Sequence, residues 1–184
     1  MAILPGATIG IFGGGQLGRM TAMAARSLGY HVHALDPDES CAARFVVERC
    51  ITAPFDDEFA AADLARRSQV VTLEIEKVAQ KSLTTAARYA PVRPSADVLG
   101  IVQDRARQKK WLADNGFPVG DYREATDAAG LEKALTELAA PAFVKATRGG
   151  YDGRGQVFVA KAAEAKSAWE DLAAEAVVAE RALA

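Results

Sequence analysis

Thr8-Ile9-Gly10-Ile11-Phe12-Gly13-Gly14-Gly15-Gln16-Leu17-Gly18, residues 8–18, is the stretch that decides the fold. A short β-forming run meets three consecutive glycines, and the chain then carries apolar residues at helical spacing from Gln16 to Leu28. Strand, tight turn and helix in that order open a βαβ unit, and with it a parallel sheet. Gly29 stops the helix, and His31 to Leu35 alternates as a second strand closed by Asp36 and Pro37. Arg49–Thr52 and Val70–Leu73 are two further strands around a helix over Phe59–Arg67. Ala79–Tyr89 is a helix, and Pro91–Arg93 is a short last strand.

From Ala96 to Asn115 the pattern predicts one helical stretch, with Ser95 as N-cap and Gly116 as its stop. The domain junction falls along this stretch. After Pro118 the pattern restarts: a strand near Tyr122, a helix over Asp127–Leu138, a strand over Ala142–Lys145 and a glycine-rich loop. A strand over Val157–Ala160, a helix to Glu175 and a strand over Val177–Glu180 follow. This order predicts a small α+β lobe. The expected division is 1–95, a helical connector 96–118, and 119–184. The chain stops at Ala184 beside a predicted strand, which reads as a truncation.

With 22 basic against 24 acidic residues, the chain carries no electrostatic footprint for nucleic acid or an anionic membrane surface. Any phosphate is therefore held by local groups. No apolar run approaches the roughly 20 residues of a membrane span, and the N-terminus lacks a signal-peptide layout, so the cytoplasm is the expected location. Cys41 and Cys50 have neither disulfide-framework nor metal-motif spacing and are expected to be small packing residues. Trp111 and Trp169 are likewise expected to pack. His31 and His33 share a strand face without a third ligand, so packed or edge histidines are favoured over a metal site.

Gly13, Gly15 and Gly18 fit GxGxxG after a strand and before a helix. Glycine allows close backbone approach to an anion, and the helix N-terminus offers unpaired N–H groups. Asp36 ends the second strand where a ribose-binding carboxylate sits in dinucleotide folds, so an NAD-linked oxidoreductase is one reading. Other phosphorylated ligands, or simple helix–strand packing, are the alternatives.

A second run is more specific: Phe143-Val144-Lys145-Ala146-Thr147-Arg148-Gly149-Gly150-Tyr151-Asp152-Gly153-Arg154-Gly155-Gln156. A strand delivers a lysine, a loop with four glycines follows, and a second strand leads away. Such a hairpin suits a triphosphate, with backbone N–H groups and an ammonium facing phosphate oxygens. It is not a Walker A loop, since it lacks GK[ST] and opens no helix.

This second loop resembles the phosphate-covering loop of the ATP-grasp family, in the form carried by 5-(carboxyamino)imidazole ribonucleotide synthases. GGGQLGRM over Gly13–Met20, the acidic pair Glu74 and Glu76, and Asp104, Arg105 and Lys109 in a DR-x(3)-K helix complete the likeness across essentially the whole chain. The resemblance implies an α/β fold: a Rossmann-like parallel sheet (pre-ATP-grasp domain), then the first α+β lobe of an ATP-grasp domain, truncated.

By the same resemblance Arg105, Lys145, Gly150, Tyr151, Asp152, Gly153, Arg154, Gly155 and Gln156 contact ATP, and Glu180 meets adenine and ribose. Sliding the alignment by one residue puts Ala179 in the place of Glu180. Gln16, Leu17, Glu74, Tyr151 and Arg154 contact the ribonucleotide. The implied activity is ATP-dependent carboxylation of aminoimidazole ribonucleotide with bicarbonate, by a homodimeric ligase of purine biosynthesis. Mg²⁺ is implied too, with ligands expected beyond residue 184, so this polypeptide alone is expected to lack turnover. Apart from Arg105, the basic cluster of Arg107, Lys109 and Lys110 is assigned to a solvated helix face. The NAD-linked oxidoreductase and a non-catalytic nucleotide-binding module are the competing readings.

Overall fold

The computed structural model describes residues 2–139, 141–150 and 155–183. The chain divides into two compact units, residues 1–100 and 101–184.

In the first unit, β1 (Thr8–Phe12), β2 (His31–Asp36), β3 (Arg49–Thr52) and β4 (Val70–Leu73) form one sheet in the order β3-β2-β1-β4. All three pairings are parallel. Helices α1 (Gln16–Ser27), α2 (Glu58–Arg66) and α3 (Gln80–Ala86) belong to the same unit. Apolar residues on both sides of the strands form separate cores. Phe12, Leu35, Leu64, Val71 and Leu83 pack in one, and Ile11, Ala22, Ala25 and Val32 in the other. Burial on both faces explains why the strands are near-continuous apolar runs. The strand expected over Pro91–Arg93 is reduced to one parallel bridge between Val71 and Val92. Pro91 has no N–H to donate, which shortens any ladder there.

The helix expected over Ala96–Asn115 is two helices, α4 (Ala96–Val102) and α5 (Arg105–Asp114). Asp104 has extended backbone geometry, and its carboxylate accepts from the N–H groups of Ala106 and Arg107, so it caps a new helix.

In the second unit, β5 (Tyr122–Ala125), β6 (Ala142–Ala146), β7 (Gln156–Val159) and β8 (Val177–Arg181) form an antiparallel sheet in the order β5-β8-β6-β7. Helices α6 (Ala128–Leu138) and α7 (Ala165–Leu172) cover one face. Leu131, Leu135, Leu138, Val144, Val159, Ala168 and Val177 make that core. Strand alternation turns Phe143 and Lys145 the other way, away from buried Ala142, Val144 and Ala146. Among the described residues no helix is long and apolar enough to cross a membrane.

Candidate functional site

In the first unit the strand order places β1 between β2 and β4, so the direction in which successive strands are added to the sheet reverses beside β1. Ligand crevices of open parallel sheets lie at such a point, at the carboxyl ends of the strands. The first glycine loop follows β1 and Glu74 follows β4 directly, which brings them together. The Glu74 carboxylate accepts from the Gly15 N–H at 2.9 Å, and Asp36 accepts from the Gly14 N–H at 2.6 Å. The second Asp36 oxygen accepts from the Asp38 N–H at 2.8 Å. Asp36 is therefore engaged on both oxygens within its own loops.

The glycines have steric reasons. A Cβ on Gly13, whose φ is 101°, would lie 2.6 Å from Glu74 Cγ, and one on Gly18 would lie 2.5 Å from the Gly13 carbonyl oxygen. Gly14 packs against Cys41 in the same way. Helix α1 begins at Gln16 with no side-chain cap on its first-turn amides, the kind of helix end that can accept an anion. The Cys41 and Cys50 sulfurs are 3.6 Å apart as free thiols. Burial, with the Cys41 thiol beside it, pushes Cys50 up to about 12.

In the second unit, four cations gather about the root of the glycine hairpin: Arg105, Lys109, Lys145 and Arg148. Arg105, the first residue of α5, donates through its two terminal nitrogens to the carbonyls of Ala146 and Gly150, each at 2.7 Å. Its backbone N–H donates to the Thr147 carbonyl at 2.9 Å. Helix α5 is thereby tied to both the end of β6 and the hairpin. Arg148 Nε lies 3.2 Å from Asp104, the α5 cap. Gly149 and Gly155 have φ of 79° and 68°, the left-handed region that glycine enters without strain.

On the open face of the sheet, Lys145 Nζ donates to Glu180 Oε2 at 3.0 Å, and Lys109 Nζ lies 3.2 Å from the same oxygen. Phe143 and Phe158, cross-strand partners with ring centroids 5.3 Å apart, give that face an apolar patch beside the charges.

The structure thus gathers Arg105, Lys145, Gly150, Gly155 and Glu180 at one hairpin root, and sets Gln16, Leu17 and Glu74 around one loop. Tyr151, Asp152, Gly153 and Arg154 lie outside the described residues. Gln156 opens β7, opposite Lys145. Lys109 corrects an expectation: its side chain is only 17% exposed and ion-paired, whereas Arg107 and Lys110 are solvated at 61% and 70%. Its spacing four residues after Arg105, one turn along the same helical face, is the signal that could have found it. Trp111 also departs from a packed position: it is 43% exposed and stacks on Phe117. Nothing in the sequence marks Phe143 and Phe158 as surface residues, because apolar residues in strands are ordinarily core.

A glycine loop on a parallel sheet and a cation-lined glycine hairpin on an antiparallel one are the two candidate sites of the chain. The chain belongs to the ribonucleotide synthetase preATP-grasp family, whose model matches residues 6–103, and it continues as an ATP-grasp domain over residues 110–183. It is similar to N5-carboxyaminoimidazole ribonucleotide synthases. That of Staphylococcus saprophyticus is 38% identical over 176 residues, covering 96% of this chain and 47% of the relative. The Staphylococcus aureus N5-carboxyaminoimidazole synthetase complexed with ADP superposes with a TM-score of 0.92 at 34% identity, covering 98% of this chain and 48% of that one. The Aspergillus clavatus enzyme in complex with ADP and 5-aminoimidazole ribonucleotide gives 0.87 at 29% identity, covering 98% and 47%. The chain spans about half the length of the curated relatives it matches.

Proposed function

We propose that this chain supplies the ribonucleotide platform and one wall of the ATP cleft of an ADP-forming ligase that carboxylates 5-aminoimidazole ribonucleotide. The single observation that carries the proposal is the cluster of Arg105, Lys109, Lys145 and Glu180 at the hairpin root. It places cations where a strand-borne glycine loop can bring backbone N–H groups to a triphosphate. The ADP in the staphylococcal relative and the ADP and ribonucleotide in the Aspergillus one support it.

Bicarbonate is a poor electrophile. In the proposed reaction one of its oxygens attacks the γ-phosphorus of ATP, ADP leaves, and carboxyphosphate forms. The exocyclic amine of the ribonucleotide then attacks the carboxyl carbon. The carbon–oxygen bond to phosphorus breaks, inorganic phosphate departs, and the amine gives up a proton. Lys145 and Arg105 neutralise phosphate charge as it shifts during transfer. By the resemblance, the glycine loop shields the acyl phosphate from water. The α1 amides at Gln16 and Leu17 hold the ribonucleotide phosphate, and Glu74 accepts from its amine or a ribose hydroxyl.

Magnesium, implied by the resemblance, does not fit the carboxylates described at the hairpin root. Glu180 is claimed by two lysines and Asp104 by Arg148 and a helix end. No step here runs through a metal. The division at a 96–118 connector and a cytoplasmic location, both read from the sequence pattern, and a homodimer, implied by the resemblance, remain part of this proposal.

Thermal-shift titrations with ATP, NAD and 5-aminoimidazole ribonucleotide test it. A ligand that binds only the folded state at about 100 times its Kd adds about 2.7 kcal/mol to apparent stability. ATP and the ribonucleotide are expected to raise the midpoint. Stabilisation by NAD alone overturns the proposal.

A further inference from the structure

Glu180 Oε2 receives two ammonium groups, Lys145 at 3.0 Å and Lys109 at 3.2 Å. Two cations on one oxygen lie within about 6 Å of each other, and one carboxylate cannot neutralise both. All three side chains are less than a quarter exposed, so water screens the excess only in part. The cluster holds a surplus positive charge, and an anion is what relieves it.

The two lysines are not equivalent. Lys109 rises from α5, and its ammonium also sits 5.5 Å from the centroid of the Tyr122 ring. Tyr122 is the cross-strand partner of Glu180 between β5 and β8, so Lys109 is gripped by two side chains that face each other across the sheet. Lys145 belongs to β6, the strand that runs into the hairpin, and Glu180 is its one described ion-pair partner. Lys145 is the ammonium free to exchange its carboxylate for phosphate. Lys109 is the one that stays.

We infer that Lys109 is a positioning residue of the nucleotide site, whose ammonium keeps Glu180 neutralised and fixed once Lys145 turns from Glu180 to the phosphates of ATP. The inference rests on the nucleotide-binding reading above. Without Lys109, the departure of Lys145 would strand a half-buried carboxylate, a costly state, and Lys145 would be held back from phosphate. With Lys109 in place, the exchange leaves one ion pair behind. Because both lysines use Oε2, among the described residues Glu180 Oε1 keeps its lone pairs for a hydroxyl donor on the nucleotide.

The test uses the 184-residue chain in four forms: wild type, Lys109→Gln, Lys109→Arg and Glu180→Gln, with the Lys109→Gln/Glu180→Gln double variant closing the cycle. The first arm needs no ligand. Acetic anhydride labelling, read by mass spectrometry, reports how tightly Lys145 is held. Lys109→Gln is expected to slow Lys145 acetylation several-fold, and the Glu180→Gln background is expected to abolish the difference. The second arm is an ATP titration followed by NMR. Lys109→Gln is expected to weaken ATP roughly ten-fold, Lys109→Arg to retain most of the affinity, and the loss to vanish in the Glu180→Gln background. Circular dichroism checks that each variant is folded, and Lys109→Met takes the place of Lys109→Gln in both arms if Lys109→Gln is not.

Unchanged Lys145 labelling in Lys109→Gln, or a loss of ATP affinity that persists without Glu180, overturns the inference. The second of these outcomes would mean that Lys109 touches the nucleotide itself. If the wild type binds no ATP, the functional proposal falls, while the labelling arm still decides whether Lys109 governs the hold on Lys145.

Discussion

Gly13 shows what the first motif is for. Its φ of 101° is one that residues with a Cβ rarely adopt, and the space a Cβ would fill already holds the Glu74 side chain. Gly13→Ala is expected to lower stability by roughly 2 kcal/mol, from backbone strain and collision together. Urea unfolding measures it. Adding Glu74→Ala should recover the collision part and leave the strain, so the two losses should not simply add. A Gly13→Ala protein as stable as the wild type would mean that the loop is slack and that Glu74 does not set its shape. The glycines themselves were legible in the sequence, because GxGxxG after a strand carries its own steric logic. What fills the loop was not legible. Glu74 lies 59 residues from Gly15 in the chain, and only the strand order brings the carboxylate to the amide. Asp36 was noticed for its position, but its engagement with Gly14 and Asp38 depends on a loop conformation that no spacing encodes.

At the scale of elements, local chemistry served well and long-range pairing did not. The first-unit strands stand where alternating or continuous β-branched runs put them, and Asp57 and Asp127 cap α2 and α6 as short acidic side chains do. The parallel sheet followed from the strand–helix alternation. The order β5-β8-β6-β7 of the second sheet did not, since β8 pairs with strands about 35 and 55 residues earlier and pairing partners leave no local mark. The break between α4 and α5 has a local signal: an aspartate followed by a strongly polar turn is a helix start. Asp104 serves both as that cap and as the partner of Arg148, so it links the helix to the hairpin. Asp104→Ala is expected to cost about 1 kcal/mol, the ordinary value of a lost cap. Asp104→Asn should keep most of that stability, since the amide oxygen still accepts from the helix amides, while weakening the hold on Arg148. Thermal midpoints of the two variants check this. Equal losses in both would put the stabilisation in the ion pair and not in the cap.

For the molecule as a whole, the charges say more about the reaction than the fold does. The second unit concentrates arginine and lysine at the hairpin root, and among the described residues there the carboxylates of Asp104 and Glu180 are already paired with them, a balance that suits phosphate better than a divalent cation. Phosphoryl transfer needs charge neutralised on both sides of the phosphate, and metal ions commonly supply part of it. The chain spans about half the length of its curated relatives. Binding without turnover is therefore the expected behaviour of this polypeptide. With ATP, bicarbonate, magnesium and 5-aminoimidazole ribonucleotide, ADP release should lie at least about a hundred-fold below that of a full-length relative, the loss typical of a missing transition-state charge contact. ATP should nonetheless perturb the NMR signals of Lys109, Lys145 and Glu180 in the same sample. Turnover near that of the full-length relative would mean that these residues, with the carboxylates already in the chain, neutralise the transferring phosphate by themselves, and the charge argument for a divided site would be wrong.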